Sequence, residues 1–308
     1  MYDVVIIGAG PAGMSAALYT SRANLSTLLI ERELPGGQLN NTETIENYLG
    51  TPKADAADLA TTMYQQATSF GAEMLRRNIK EIIKQDDGLF KIETRKKTIM
   101  AKSIILATGT KYRKLGVPGE EQFDAKGVSY CAICDGPFFQ DKEIIVVGGG
   151  DSALEEADYL TQFGSKVSIV HRRDSFRAKP HLQERVKNNP KIKIFYNAQV
   201  EAIKGDDNVD TVELYQTAGD IAGYFDVPAS AVFPYIGQLP QQVKLFDKDG
   251  KELPLYLDNG FLSTDKRYQT TIEGLYAVGD ILDKPIRQVA NAVGEGAEAA
   301  QHVYEYLQ

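Results

Sequence analysis

The sequence is poor in cysteine, in long apolar runs and in excess basic charge, and each shortage excludes a class of protein. Its 308 residues include only two cysteines, Cys131 and Cys134, too few for a disulfide framework or for the four ligands of a structural zinc site. No apolar run approaches the roughly 18 residues of a membrane-spanning helix. Acidic residues outnumber basic ones by 42 to 34, for a net charge of −8, which argues against a nucleic-acid-binding protein.

The amino terminus also lacks the features of a signal peptide, because Met1-Tyr2-Asp3 leads into an apolar strand without a basic segment. We therefore expect a cytoplasmic protein that needs neither a membrane nor a nucleic acid as partner. Hydrophobic residues make up 43% and charged residues 25% of the chain, a balance typical of globular proteins. The length predicts about two domains.

A strand–turn–helix–strand unit occurs twice in the chain. In the first copy, an apolar strand at residues 4–7 leads into Gly-Ala-Gly-Pro-Ala-Gly at residues 8–13, a helix is expected from about Met14, and the next strand ends at Glu31. In the second copy, an apolar strand at residues 144–147 leads into Gly-Gly-Gly-Asp-Ser-Ala at residues 148–153, and the next strand ends at His171. The spacing from the first glycine to the end of the second strand is the same in both copies. The repeat therefore predicts two nucleotide-binding units in one register.

The glycines of such a turn have separate functions. The first permits a tight turn, the second lets the backbone approach a pyrophosphate, and the third position, Gly13 or Ala153, lets helix and strand pack closely. The phosphates then lie at the positive end of the helix dipole. The alternative is a pair of glycine-rich turns that bind nothing. Two copies framed by strand, helix and strand are far stronger evidence for nucleotide binding than a single GxGxxG motif.

The residue that ends the second strand predicts which nucleotide each unit prefers. Glu31 is an acceptor suited to a free ribose diol, as in the adenosine half of FAD. The second unit has no acid there and carries His171, Arg172, Arg173 and Arg177 instead. Because guanidinium groups match a phosphate dianion, we expect NADPH, with the arginines around its 2′-phosphate. A solvated basic turn is the alternative.

Two further strand-like segments, residues 102–110 and 275–280, fit the first domain and lie on either side of the second unit. Glycine and proline punctuate the chain at residues 114–119 and 235–240. We predict an α/β fold with two Rossmann-like dinucleotide-binding domains. The NADPH domain, residues 114–241, is inserted into a discontinuous FAD domain, residues 1–113 and 242–308, and the two connections would allow a hinge rotation.

Cys131-Ala132-Ile133-Cys134 lies early in the inserted domain and is followed by Asp135. Cysteines at this spacing can form a small disulfide ring, and a thiolate there can attack a substrate disulfide. Asp135 can hold a proton for the departing thiolate. Two buried cysteines packed as small apolar residues are the alternative, which the carboxylate and the two nucleotide units disfavour.

With these motifs in this order, the chain resembles the low-molecular-weight thioredoxin reductases of bacteria over essentially its full length. Further motifs carry the resemblance: Gly-Gly-Gln-Leu at 36–39, Glu-Asn-Tyr at 46–48 before Gly50, Ala-Thr-Gly at 107–109, Gly-Asp at 279–280 and Arg-Gln at 287–288. The resemblance implies a homodimer with FAD in the host domain and NADPH in the inserted one. It implies hydride transfer from NADPH to FAD, then reduction of the Cys131–Cys134 disulfide, then of thioredoxin, with domain rotation between the half-reactions.

The resemblance also implies site residues. Cys134 would face the flavin, Cys131 would attack the partner and Asp135 would be the acid. FAD contacts are expected from Gly8, Gly10, Pro11, Ala12, Gly13, Glu31, Gly37, Gln38, Leu39, Asn47, Ala107, Thr108, Gly109, Gly279, Asp280, Arg287, Gln288 and Val289. NADPH contacts are expected from Gly148, Gly150, Asp151, Ser152, Ala153, His171, Arg172, Arg173 and Arg177.

Ile133, between the cysteines, and Ile286, before Arg287, depart from the residues usual in the family, and the chain has no tryptophan. Ferredoxin–NADP reductases of this fold lack the dithiol, while ferredoxin-dependent thioredoxin reductases and dithiol oxidases lose the NADPH motifs. Peroxiredoxin-reducing relatives carry an additional N-terminal domain. A ferredoxin-dependent flavin thioredoxin reductase and a non-enzymatic flavin redox sensor stay as alternatives, and the partner can be thioredoxin or another thioredoxin-like protein.

Overall fold

The computed structural model describes residues 1–41, 44–218 and 222–308. Its helices are α1 (Pro11–Arg22), α2 (Ala56–Thr68), α3 (Ala132–Asp135), α4 (Asp151–Leu160), α5 (Pro180–Asn188) and α6 (Val289–Tyr306). Short 3₁₀ turns span Gly37–Asn41, Gly136–Phe139 and Gly279–Ile281. The strands are β1 (Tyr2–Ile7), β2 (Thr27–Glu31), β3 (Thr44–Ile45), β4 (Ala54–Asp55), β5 (Glu73–Arg76), β6 (Ile79–Lys84), β7 (Phe90–Thr94), β8 (Thr98–Leu106), β9 (Thr110–Tyr112), β10 (Glu143–Val147), β11 (Lys166–Val170), β12 (Ile192–Phe195), β13 (Ala198–Gly205), β14 (Val209–Gln216), β15 (Gly223–Pro228), β16 (Ala231–Pro234), β17 (Gln238–Pro240), β18 (Leu245–Phe246) and β19 (Leu275–Ala277).

The chain divides into two compact units. Unit 1 comprises Met1–Lys111 and Leu239–Gln308, and unit 2 comprises Tyr112–Gln238. Each unit contains its own sheet, mixed in unit 1 and parallel in unit 2, with a glycine-rich turn after the first strand of the nucleotide motif. The prediction of an α/β fold with two Rossmann-like domains is confirmed, whereas the nucleotide bound by each unit stays a prediction.

Unit 1 is built on an eight-stranded sheet in the order β18-β6-β7-β8-β1-β2-β5, with β19 also paired to β8. The central strand β1 runs parallel to β2 and to β8. Its residues are buried on both faces, as expected for a parallel strand with elements packed above and below it. Val4 and Ile6 pack with α1 and α6, while Val5 and Ile7 face the opposite layer.

Unit 2 has the same plan at smaller scale. Strands β12-β11-β10-β16 form a parallel sheet, and β13-β14-β15 form an antiparallel one. Ile144 and Val146 of β10 pack with α4 and α5, while Ile145 and Val147 pack with the antiparallel sheet. This alternation follows from the two-residue period of a strand. The carboxyl end of β10 leads directly into the second glycine turn.

Within the described residues, none of the helices combines the length and apolar character that a bilayer span requires.

Candidate functional site

The first glycine turn joins β1 to α1, and two of its glycines are required by packing. Gly8 has a φ of +107°, and a Cβ there would lie 2.2 Å from the carbonyl oxygen of Ala107. A Cβ on Gly13 would lie 1.8 Å from the carbonyl oxygen of Gly8. Gly10 differs, because the nearest atom to a Cβ there is the Cα of Gly37, at 3.9 Å. The space above Gly10 can therefore accept a ligand atom.

Helix α1 begins directly after this turn with Pro11, and Ala12 and Gly13 follow in its first turn. No described side chain caps this end, and its first turn contains no acidic residue. The first backbone N–H groups of a helix have no partner within the helix, so they can donate to an anion. This end of α1 fits a pyrophosphate.

Glu31 ends β2 beside the same turn, and its carboxylate is held by the backbone. Oε2 accepts from the N–H of Ala9 at 2.8 Å, and Oε1 accepts from the N–H groups of Arg32 and Glu33 at 2.7 and 3.0 Å. The structure thus brings Glu31 to the glycine turn, as a ribose-binding role requires.

Residues 107–109 follow β8 at the same end of the sheet as the first glycine turn, because β8 runs parallel to β1. They are Ala107, Thr108 and Gly109. The hydroxyl oxygen of Thr108 is buried and has no hydrogen-bond partner among the described residues. Buried polar atoms in folded proteins are nearly always paired, so an unpaired hydroxyl here fits a polar group supplied by a ligand. A Cβ on Gly109 would meet open space.

The Gly279–Ile281 turn follows β19 and carries Asp280. Burial raises the pKa of Asp280, against the opposing effect of the nearby cations Lys284 and Arg287. The N–H of Gly279 donates to Oε2 of Glu295 at 2.7 Å, and Glu295 also pairs with Lys284 Nζ at 2.6 Å. Sequence reasoning missed Lys284 and Glu295, because an ion pair between a turn and a following helix has no local pattern.

The remaining predicted flavin-side residues lie in unit 1 as well. Gln38 Nε2 donates to the carbonyl of Thr110 at 2.6 Å, and Asn47 Nδ2 donates to Gln288 Oε1 at 3.1 Å. Arg287 lies 4.8 Å from the ring centre of Phe261. Gly37 and Leu39 share the 3₁₀ turn with Gln38, and Val289 opens α6.

The second glycine turn joins β10 to α4 in unit 2. A Cβ on Gly148 would lie 2.5 Å from the carbonyl oxygen of Tyr235, whereas a Cβ on Gly150 would meet nothing within 4 Å. Gly148 is therefore fixed by packing, and Gly150 leaves space for a ligand, as Gly10 does. Asp151 and Ser152 open α4, and Ala153 is buried.

Asp151 is already engaged, in contrast to the acid-free first turn of α1. Its Oδ1 accepts from the N–H of Lys179 at 2.8 Å, and its Oδ2 lies 3.2 Å from Lys179 Nζ. The backbone hydrogen bond from Lys179 holds the pKa of Asp151 below its usual value.

His171 ends β11 and lies under the glycine turn rather than on the surface. Its ring occupies the position that a side chain on residue 149 would take, because a Cβ added to Gly149 would lie 2.3 Å from the ring. Burial lowers the pKa of His171, with a further contribution from the nearby arginines, so the ring is neutral near pH 7. Its Nε2 lies 3.0 Å from the carbonyl of Ser175.

Arg172, Arg173 and Arg177 are exposed, and none of them forms an ion pair with a carboxylate in the described part of the chain. The N–H of Arg177 donates to the carbonyl of Gly149 at 2.9 Å, which ties the arginine loop to the glycine turn. The structure therefore brings the predicted phosphate-binding cations next to the turn.

Cys131 and Cys134 form a disulfide with an S–S distance of 2.11 Å. Cys131 precedes α3, and its Sγ accepts from the N–H of Cys134 at 3.2 Å. Asp135 ends the same helix, and its Oδ2 accepts from the hydroxyl of Ser129 at 2.5 Å. The three predicted catalytic residues thus lie within one helical turn.

Two tyrosines missed by sequence reasoning lie at this segment, one in contact with it and one next to it in sequence. Tyr235 Oη accepts from the N–H of Ala132 at 2.7 Å, and Tyr130 donates to the buried Glu120 at 2.9 Å. The ring of Tyr130 stacks on that of Tyr112 at 5.0 Å. Burial raises the pKa of Tyr235 well above its usual value, so its hydroxyl remains neutral. Tyr130 adjoins the CxxC segment in sequence, whereas Tyr235 lies far from it, so no local motif marks Tyr235.

Replacing Tyr235 with phenylalanine is expected to destabilise unit 2, because the N–H of the fully buried Ala132 loses its acceptor. The expected loss is about 1–3 kcal/mol of unfolding free energy, measured by urea denaturation. Tyr224→Phe is the matched control, since that ring is 65% exposed, and it should be neutral. Equal stability of the two variants would contradict a structural role for the Tyr235 hydroxyl.

Residues 2–296 match the family described as pyridine nucleotide-disulphide oxidoreductase. The chain belongs to this family. Membership implies a flavin and a nicotinamide cofactor, and the geometry of both glycine turns fits such groups. Among the described residues, no cluster of three or more histidine, cysteine or acidic side chains could hold a metal ion.

Several proteins named thioredoxin reductase are similar to the chain over nearly their full length. The thioredoxin reductase of Bacillus subtilis is 46% identical over 310 residues, covering 100% of this chain and 95% of that protein. The thioredoxin reductase of Listeria monocytogenes is also 46% identical, covering 100% and 94%. The crystal structure of thioredoxin reductase from Streptococcus pyogenes superposes with a TM-score of 0.91 at 45% identity, covering 100% and 98%. The predicted resemblance to bacterial thioredoxin reductases is confirmed.

Proposed function

We propose that the protein is an NADPH-dependent thioredoxin-disulfide reductase that contains FAD. The observation that carries this proposal is the Cys131–Cys134 disulfide, which lies on one helical turn with Asp135 in a chain that has two glycine-rich turns between a strand and a helix. The similarity to proteins named thioredoxin reductase supports thioredoxin, or a thioredoxin-like protein, as the partner. We extend the proposal to a homodimer, which the resemblance implies, and to the cytoplasm as its compartment, which is the expectation from the sequence.

The assignment of FAD to unit 1 rests on polar groups that a dinucleotide would satisfy. The open space at Gly10 and the uncapped first turn of α1 would receive the pyrophosphate. Glu31 would accept from the adenosine ribose, and the unpaired hydroxyl of Thr108 would bond to the cofactor. Asp280 and Arg287 would lie on the ribityl and flavin side.

The assignment of NADPH to unit 2 rests on charge. Arg172, Arg173 and Arg177 would surround the 2′-phosphate, while Gly150 would leave space for the pyrophosphate. His171 is neutral and buried, so its proposed contribution is to shape the turn beneath the nucleotide. When bound, NADPH would supply, by way of FAD, the two electrons that open the Cys131–Cys134 disulfide.

The residues of unit 2 then perform a dithiol–disulfide exchange. The Cys131 thiolate attacks one sulfur of the thioredoxin disulfide, forms a mixed disulfide and releases one thioredoxin thiolate. Cys134 attacks Cys131, which re-forms the Cys131–Cys134 bond and releases the second thiolate. Two electrons and two protons pass to thioredoxin in total, and Asp135 would hold a proton as the thiolates exchange.

The proposal is tested by anaerobic titration of the flavin-loaded protein. NADPH should bleach the flavin absorbance, NADH should do so far less well, and added oxidised thioredoxin should restore the colour. Bleaching by reduced ferredoxin but not by NADPH would show the ferredoxin-dependent alternative. Bleaching by NADPH without turnover on thioredoxin-like proteins would favour a redox sensor.

Gly10 and Gly150, where an added Cβ would meet no close atom, allow a matched test of the nucleotide assignments. Gly10→Ala should leave the stability of the apoprotein unchanged, because the added methyl meets only the Cα of Gly37, at 3.9 Å. It should weaken FAD binding at least about tenfold, since the methyl occupies the space for the pyrophosphate. Flavin fluorescence on titration of the apoprotein measures this affinity.

Gly150→Ala is the counterpart in unit 2, where a Cβ meets no atom within 4 Å. It should retain FAD and raise the KM for NADPH at least about tenfold. Loss of FAD from the Gly150 variant, with FAD retained by the Gly10 variant, would reverse the two assignments.

A further inference from the structure

Ser129 lies two residues before Cys131 and is held rigidly by its backbone. Its N–H donates to the carbonyl of Val232 on β16 at 3.0 Å, and the preceding Val128 forms a bridge with the same strand. The residue is 6% exposed. Its hydroxyl therefore projects from a fixed point of the unit 2 sheet.

The hydroxyl of Ser129 makes two hydrogen bonds to the redox segment. It donates to Asp135 Oδ2 at 2.5 Å and accepts from the N–H of Cys131 at 3.2 Å. A serine hydroxyl has one hydrogen and two lone pairs, so both bonds form at once. One atom thus joins the amide of the attacking cysteine to the carboxyl group at the other end of α3.

A bond from a hydroxyl to a carboxylate is among the stronger hydrogen bonds of a protein, because the acceptor is charged. The backbone of the segment is closed by the N–H of Asp135, which donates to the carbonyl of Cys131 at 3.0 Å. That bond fixes the helical turn but does not by itself set the side-chain torsions of Asp135. Ser129 supplies a contact that selects one orientation of the carboxyl group.

We infer that Ser129 is a positioning residue for disulfide exchange, which holds the Asp135 carboxyl and the Cys131 amide in one geometry while the Cys131–Cys134 bond opens and closes. This inference rests on the proposed function and deepens it. In each turnover the dithiol loses two electrons and two protons to the disulfide of thioredoxin. A carboxyl group held in a fixed position can exchange a proton with a thiolate as the sulfur atoms change their bonding partners.

The test is a double-mutant cycle on Ser129 and Asp135. Ser129→Ala should lower kcat for thioredoxin about tenfold with KM unchanged, since the partner surface is intact and only the chemical step is impaired. Ser129→Thr restores the hydroxyl and should recover most of the loss. In an Asp135→Asn background, Ser129→Ala should lower kcat by less than about a further twofold, because the carboxyl group that Ser129 positions is already absent.

Controls separate positioning from a general effect on folding. Ser168→Ala removes another buried serine of unit 2, on β11, and should leave kcat unchanged. Stopped-flow reduction of the flavin by NADPH should be unaffected in every variant, and urea midpoints report folding. Should Ser129→Ala fail to fold, Ser129→Gly removes the same hydroxyl and is judged by the same criteria.

An unchanged kcat in Ser129→Ala, no recovery by a folded Ser129→Thr, or a full tenfold loss in the Asp135→Asn background would each overturn the positioning role while leaving the proposed function intact. A wild-type protein that accepts electrons from NADPH yet reduces no thioredoxin would instead overturn the proposed function, and the role of Ser129 with it.

Discussion

Cys134→Ser is expected to abolish turnover with thioredoxin, by at least about a thousandfold, while the protein retains its flavin and its reduction by NADPH. The oxygen of serine replaces a sulfur at nearly the same position, so α3 keeps its geometry, but no disulfide can form with Cys131. Without Cys134 nothing resolves the mixed disulfide, and Cys131 remains attached to thioredoxin. Steady-state NADPH consumption measures turnover, and non-reducing electrophoresis detects the trapped complex.

Ile133→Val is the matched control for this substitution, because Ile133 lies between the two cysteines and its side chain is 42% exposed. It should preserve activity within about twofold, since valine keeps the branched shape of this exposed side chain and both sulfur atoms remain. Retained thioredoxin turnover in Cys134→Ser would eliminate the dithiol as the working group. Loss of flavin reduction in the same variant would place Cys134 before the flavin in the electron path, contrary to the proposal.

Replacing Arg172, Arg173 and Arg177 together with glutamine is expected to lower kcat/KM for NADPH by about a hundredfold or more and to leave the value for NADH nearly unchanged. Hydrogen bonds to a charged group contribute about 1.5–3 kcal/mol each, so the loss of two accounts for at least this factor. These arginines are exposed and have no carboxylate partner in the described residues, so little stability should be lost.

Arg95→Gln is the control for the loss of positive charge. Arg95 is an exposed arginine in the turn between β7 and β8 of unit 1. This variant should have the wild-type kcat/KM for both NADPH and NADH. An equal loss for NADPH and NADH in the triple variant would contradict recognition of the 2′-phosphate and indicate a general effect on nucleotide binding.

The sequence was most informative where local pattern and chemistry coincide. The strands predicted at residues 4–7 and 144–147 lie within β1 and β10, because apolar runs that end in a glycine turn have few other structures available. The helix expected from about Met14 begins earlier, at Pro11, since proline is favoured in the first turn of a helix.

The residues that hold the site residues in place could not be predicted in this way. Ser129, Tyr235 and Glu295 act through contacts that depend on how separate elements pack, and Tyr235 reaches Ala132 across more than a hundred residues of sequence. Likewise the sequence places His171 among the expected NADPH contacts, but its burial beneath Gly149 depends on the packing of the turn and is not visible in the sequence. A periodicity reports which face of an element is buried but not which hydroxyl lies opposite which amide.

The order of the segments has a consequence for biosynthesis. Unit 2 is continuous, from Tyr112 to Gln238, so a ribosome synthesises all of it before it begins the second part of unit 1. Strand β19 and helix α6, which complete unit 1 by joining β8 and α1, emerge last. The dithiol can therefore fold, and its thiols can oxidise, on a nascent chain that still lacks Asp280 and Arg287. Insertion of the flavin would be a late event, reserved for the finished polypeptide.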